Sequence, residues 1–145
     1  MNGKVFLDAN VLLYAQDKSV PAKNQKARTL VADLIRSGEG VISTQVLQEF
    51  YVAGTRKLGV PPLAAKAVLK TFNAFEIVQV TPELVQEAID CSILNQISFW
   101  DALIVVAADA GGCTTLYSED FNPGQVLLGV KVVNPFVVDG KPRAR

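Results

Sequence analysis

Four acidic residues occupy places in this 145-residue chain where an isolated charge is costly. Asp8 ends the apolar run "KVFL", with Asn10 two positions on. Glu49 lies between polar Gln48 and aromatic Phe50 and Tyr51 in "STQVLQEFYV". Asp101 opens the apolar stretch of "SFWDALIVVAADA", and Asp120 follows "TTLY" in "SEDF". Carboxylates in such positions can move protons, attack as nucleophiles, or ligate a hard cation. Histidine is absent, which excludes Ser-His-Asp and Cys-His nucleophile systems, His-ligated zinc and an imidazole base. The two cysteines, Cys91 and Cys113, form neither a disulfide framework nor a zinc spacing. Hydrolytic chemistry would therefore fall to carboxylates, lysines or metal ions.

Each acid also has an ordinary reading. Asp8 and Asn10 can form an Asx turn leaving a strand. Glu49, at a helix face boundary, can reach outward to solvent. Ser98-x-x-Asp101 matches a capping box, where a carboxylate near the helix N-terminus is stabilising without further function. Asp120 can be a turn former, with Glu119 beside it simply solvated.

What distinguishes these readings is the set of elements that position the four. Val5–Leu7 reads as a buried strand. A helix is expected from about Lys23 to Arg36, stopped by "SGEG", then a short strand "VIS" at 41–43. Thr44 caps a helix to about Lys57, which "LGVPP" breaks; the next runs from near Pro62 to about Phe75. "EIVQV" at 76–80 reads as a third strand. Thr81-Pro82-Glu83 starts a helix to about Asn95, and Ser98 starts another to about Ala110. "TTLY" and "VKVV" complete the strands. This alternation predicts an α/β fold, a three-layer α/β/α sandwich around a central parallel sheet of four to five strands. One domain is expected over 1–136, with a loose tail over 137–145.

Ligands of such sheets bind beyond the carboxyl ends of the strands. All four acids lie at a strand's end or near the start of the helix that follows. Two unit charges about 5 Å apart repel by roughly 3 kcal/mol at an effective dielectric near 20. A converging set must therefore take up protons or a cation. Oxygen ligands without imidazole or thiolate favour Mg2+ or Mn2+, which would acidify a bound water and clamp a phosphoryl oxygen.

The segments "VFLDANVLLY", "STQVLQEF", "SFWDALIVVAA" and "LYSEDF" resemble, in order, the four acidic motifs of PIN-domain ribonucleases. The likeness is nearest to VapC-type toxins of toxin–antitoxin modules and extends from about Lys4 to Phe136. It implies that Asp8, Glu49, Asp101 and Asp120 are catalytic, metal-binding carboxylates. It makes Asn10 and Ser43 polar neighbours of the centre. It implies an RNA substrate such as tRNA, an antitoxin partner and a homodimer. The sequence departs from the family's pattern at Ala9, where threonine is common, and in "SEDF", which lacks a further aspartate, so a second metal site stays open. For RNA contact, Arg56 and Lys57 end one helix and Lys66 and Lys70 share a face of the next; Lys18, Lys23, Lys26 and Arg28 form another basic group. Trp100, the single tryptophan, is expected to pack beside Phe99, with base stacking as its alternative.

Whole-chain properties agree with a globular protein, 50% hydrophobic and 19% charged. No run approaches the roughly 20 apolar residues that span a bilayer, and the N-terminus does not read as a signal peptide, so a cytoplasmic location is expected. Net charge is zero, but residues 1–70 hold ten basic against five acidic residues and the remainder four against nine. Two other functions remain at this level. One is a phosphoaspartyl phosphatase of the HAD type with Asp8 as nucleophile, although Asn10 stands where a second acid is usual. The other is a non-catalytic PIN-like module that binds RNA or a partner.

Overall fold

Strand β1 (Lys4–Leu7) runs through the middle of the sheet with Phe6 and Leu7 wholly buried. Around it, in the computed structural model, which describes residues 3–137, lie β2 (Gly40–Ser43), β3 (Glu76–Val78), β4 (Cys113–Tyr117), β5 (Val126–Leu127) and β6 (Val130–Val133). Their order is β3-β2-β1-β4-β6-β5. Every pairing is parallel except β5 with β6. The helices are α1 (Ala9–Tyr14), α2 (Pro21–Ser37), α3 (Thr44–Arg56), α4 (Pro62–Thr71), α5 (Pro82–Asn95) and α6 (Phe99–Ala110). The result is the expected α/β architecture, a mostly parallel central sheet flanked by helices. Among the described residues no single helix is long and apolar enough to cross a membrane. All of the expected tail except Val137 lies outside the described residues.

Several elements differ from the sequence reading. The sheet has six strands rather than four to five, because β5 is a two-residue antiparallel strand. A tight turn joins it to β6, with Leu128 and Gly129 both at positive φ. Two residues carry no periodicity to read. Asp8 does not merely turn the chain: it N-caps α1, a six-residue helix. The helix expected to reach Phe75 ends at Thr71 and tightens into a 3-10 turn, Phe72–Ala74.

The core is dominated by α6, whose residues from Ala102 to Ala108 are all buried. "ALIVVAA" thus reads correctly as a central helix. Phe50, Phe72 and Phe75 follow one another with ring centroids 5.1 and 6.0 Å apart, and Phe75 faces β2 at Gly40. Strand register then sets the functional edge. Leu7 pairs with Tyr117 across β1 and β4, so the residues that follow, Asp8 and Ser118, emerge side by side. At the same edge β2 ends in Ser43, which caps α3.

Gly40 is where this packing leaves least room. A Cβ there would stand 2.6 Å from Phe75 Cδ1 and 3.1 Å from Leu34 Cβ. Gly40→Ala is expected to lower unfolding free energy by about 1–3 kcal/mol through overpacking. Urea denaturation reads this directly, and an unchanged midpoint would mean Phe75 is not wedged against β2.

Candidate metal centre

The carboxyl edge of the sheet gathers the four acids on a gradient from buried floor to open rim. Asp8 is the floor, only 6% exposed. Its Oδ1 accepts the Ala9 N–H at 2.8 Å and its Oδ2 accepts the Ser118 hydroxyl at 2.7 Å. Asp101 is half-buried in the first turn of α6, where its N–H donates to Ser98 Oγ at 3.1 Å. Its capping position is real, so the local role and a place in the cluster coexist. Glu49 and Asp120 form the exposed rim. Glu49, in the second turn of α3, accepts Gln45 Nε2 at 3.2 Å. Asp120 Oδ2 accepts Asn10 Nδ2 at 3.0 Å, and the Asp120 N–H donates to Ser118 Oγ at 3.1 Å.

Burial and mutual repulsion act on this group in the same direction. Burial, reinforced by the charges of Asp120 and Glu49 and opposed by the hydrogen bonds from Ser118 and Ala9, pushes Asp8 up to about 7. Glu49 is raised by partial burial, opposed by the Gln45 donor and reinforced by Asp101 and Asp120. Asp101 is raised by burial, opposed by Ser98, and again reinforced by Asp120. The four acids that are distant in sequence therefore share one electrostatic neighbourhood. The ion pairs among the described residues are Lys4–Glu76, Lys23–Glu119 and Arg36–Asp33, and none reaches the four.

The donor chemistry fits a hard divalent cation: carboxylates, a hydroxyl and amides, with no thiolate or imidazole nearby. The side chains are close enough to feel one another's charge, but among the described residues no three Asp, Glu or Cys groups are gathered to hold a single ion. Each acid is instead held by a neutral donor.

Other expected residues fall differently. Ser43 is fully buried and its Oγ caps α3 by accepting the Val46 N–H; the hydroxyl bonded to Asp8 is that of Ser118. Asn10 does join the centre, bonded to Asp120. Glu119 is not simply solvated: it pairs with Lys23 at 2.5 Å and accepts the Tyr14 hydroxyl at 2.9 Å. Lys23 also lies over the Tyr14 and Phe136 rings, so this contact ties α1, α2 and the C-terminal segment to the loop bearing Asp120. Trp100 meets Phe99 edge to face yet stays 63% exposed, so it does not anchor α6 in the core. Arg56, Lys57, Lys66 and Lys70 are exposed at the end of α3 and along α4.

Two residues escape the sequence reading. Ser118 could be found only through strand register. Gln45 has the signal of its spacing, four residues before Glu49 on one helix face. It is 4% exposed, its Nε2 donates to Glu49 Oε2 and to the Trp100 carbonyl, both at 3.2 Å, and its Oε1 has no hydrogen-bond partner among the described residues. A buried acceptor left unpaired costs about 1–3 kcal/mol.

Comparison with known proteins adds the following. The PIN domain family model matches residues 5–126. The fold is similar to that of Mycobacterium tuberculosis VapC20, described as a sarcin–ricin loop cleaving toxin: TM-score 0.69, 20% identity, covering 82% of this chain and 92% of that one. A toxin–antitoxin complex from Klebsiella pneumoniae matches with TM-score 0.69 at 16% identity, over 93% of this chain and 100% of the other. VapBC2 from Rickettsia felis, bound to a DNA fragment of its promoter, matches with TM-score 0.65 at 18% identity, over 88% and 96%. No match is found among curated protein sequences. At such identities the structural likeness establishes the fold.

The raised Asp8 pKa has a definite sign in stability. Folded Asp8 holds its proton to about 7 against an ordinary 3.8. Its relative stabilisation is therefore full below about pH 4, declines as pH rises toward about 7, and is absent above, amounting to at most about 4 kcal/mol. In chelator, the stability of Asp8→Asn minus that of the wild type should grow across this interval. A difference independent of pH would mean that Asp8 ionises as freely folded as unfolded.

Proposed function

The chain belongs to the PIN-domain family, and we propose on that footing that it is a metal-dependent endoribonuclease, the toxin of a toxin–antitoxin pair. The observation that carries this reading is one of charge. Carboxylates raised by burial and by one another have no basic side chain among the described residues to offset them. Asp8, Glu49, Asp101 and Asp120 would hold Mg2+ or Mn2+. Bound there, the ion supplies Lewis-acid polarisation of a phosphoryl oxygen and a more acidic water.

The chain's own residues prepare that site. Ser118 donates to Asp8 while accepting the Asp120 N–H, which keeps floor and rim in register. Asn10 orients Asp120, and its side-chain oxygen takes the Glu119 N–H at 3.4 Å. The exposed rim of Glu49 and Asp120 leaves the centre open to a polymer's phosphates. Arg56, Lys57, Lys66 and Lys70 would bind phosphates farther along the strand, making affinity fall steeply with salt. Trp100, exposed beside Asp101, would stack an unpaired base. An antitoxin partner is supported by the toxin–antitoxin complexes among similar structures. Exposed Ile89, Ile93 and Leu94 on α5 form an apolar face that a second copy would cover, and the setting would be the cytoplasm.

The test is labelled tRNA incubated with the protein and Mn2+ or Mg2+, beside lanes with EDTA and with Asp101→Asn. Cleavage should vanish in EDTA and fall roughly 100-fold or more in the variant. Equal cleavage in all lanes would assign the activity to a contaminant and remove the reading. Because Trp100 is the single tryptophan, its fluorescence should also be quenched on titrating a single-stranded oligoribonucleotide in EDTA. Unchanged emission at saturating RNA would take Trp100 off the binding path.

A further inference from the structure

We infer that Gln45 is a positioning residue: it ties the Glu49 carboxylate to the backbone of the first turn of α6, the turn that carries Asp101, so that acids from two separately connected helices are held at one edge of the sheet. The inference rests on the proposed metal centre and assigns part of its assembly.

The need for such a lock follows from the connectivity. Glu49 belongs to α3, which leaves β2 directly, whereas Asp101 belongs to α6, which follows α5 and its turn. No short stretch of chain sets the rotation of one helix against the other. Glu49 is moreover an exposed residue with three rotatable side-chain bonds, and left alone it would sample many rotamers. Gln45 removes that freedom from a buried position. One hydrogen of its Nε2 goes to Glu49 Oε2 and the other to the carbonyl of Trp100, the residue before Asp101, both at 3.2 Å. An amide nitrogen has two donor hydrogens, which is what a bridge between a carboxylate and a carbonyl requires.

The unpartnered Oε1 argues against a packing role. A thioether or aliphatic side chain of the same length would fill this position without leaving a buried carbonyl oxygen empty. The amide is unfavourable as core and useful as donor.

Gln45→Met tests this, being close to isosteric and lacking the donor. Three quantities are measured: the unfolding midpoint, Mn2+ affinity by calorimetry without RNA, and kcat and KM on cleaved RNA. The midpoint should stay level or rise. Mn2+ affinity should fall about 10- to 100-fold, as for other residues that orient metal ligands. kcat should fall while KM for RNA stays within about two-fold, because the substrate's binding groups are untouched. In a Glu49→Ala background the same substitution should add no further loss of Mn2+ affinity, since Gln45 acts through Glu49. Wild-type Mn2+ affinity in Gln45→Met, losses that multiply in the double variant, or a collapsed unfolding midpoint would each overturn the inference while a cutting wild type leaves the nuclease reading standing. A wild-type chain that neither binds Mn2+ nor cuts RNA would overturn both.

Discussion

Asp8 lies almost entirely out of water, and the hydrogen bonds from Ala9 and Ser118 do not offset what an ionised carboxylate loses there, which is why its proton is held to about 7. The charges of Asp120 and Glu49 act on the same group and raise the cost. A protein can relieve such a concentration of charge with an arginine or lysine, with protons, or with an exogenous cation. Among the described residues no basic side chain pairs with these acids. Protonation and cation binding are what remain, and near neutrality they compete for the same oxygens.

The surrounding structure can be understood as support for this unstable arrangement. Parallel pairing of β1 with β4 brings Ser118 beside Asp8, while β1 with β2 sends α3 out along the same edge. α6, buried along most of its length, fixes the height of Asp101. The acids are then oriented by neutral donors: Ser118, Asn10 and Gln45. Neutral donors orient a carboxylate without cancelling its charge, so the negative field of the group survives. The ion pair of Lys23 with Glu119 holds the residue next to Asp120 in the same loop. It steadies the backbone of Asp120 while its own positive charge is matched by Glu119.

Much of this was legible in the residues. The strand-to-acid step at Asp8, the Thr81-Pro82-Glu83 helix start and the apolar density of "ALIVVAA" each follow from local physics, and the structure has them where that physics puts them. The lapses were equally local. β5 has two residues, too few for any period, and α1 has six, of which an Asx turn at Asp8 looks the same as a cap. Ser43, a polar neighbour of the centre by the resemblance alone, has a local task that its position after β2 did not reveal: its hydroxyl caps the α3 N-terminus. Trp100 was expected to pack beside Phe99 and anchor the helix. It does touch Phe99, yet one residue's rotation about a helix axis leaves the indole in solvent.

Sequence by itself determined the chemistry available and the class of fold. The absence of histidine, four acids after strands or at helix starts, and alternating strand and helix patterns are properties of the chain that no packing could alter. Tertiary structure alone decided which side chains meet: Ser118 at Asp8, Asn10 at Asp120, Gln45 between Glu49 and the Trp100 carbonyl, Lys23 at Glu119. The reason is that these contacts depend on strand register and helix rotation. Shifting either by one residue moves a side chain to another face, and both are set by how the whole core packs, not by any stretch of residues taken singly.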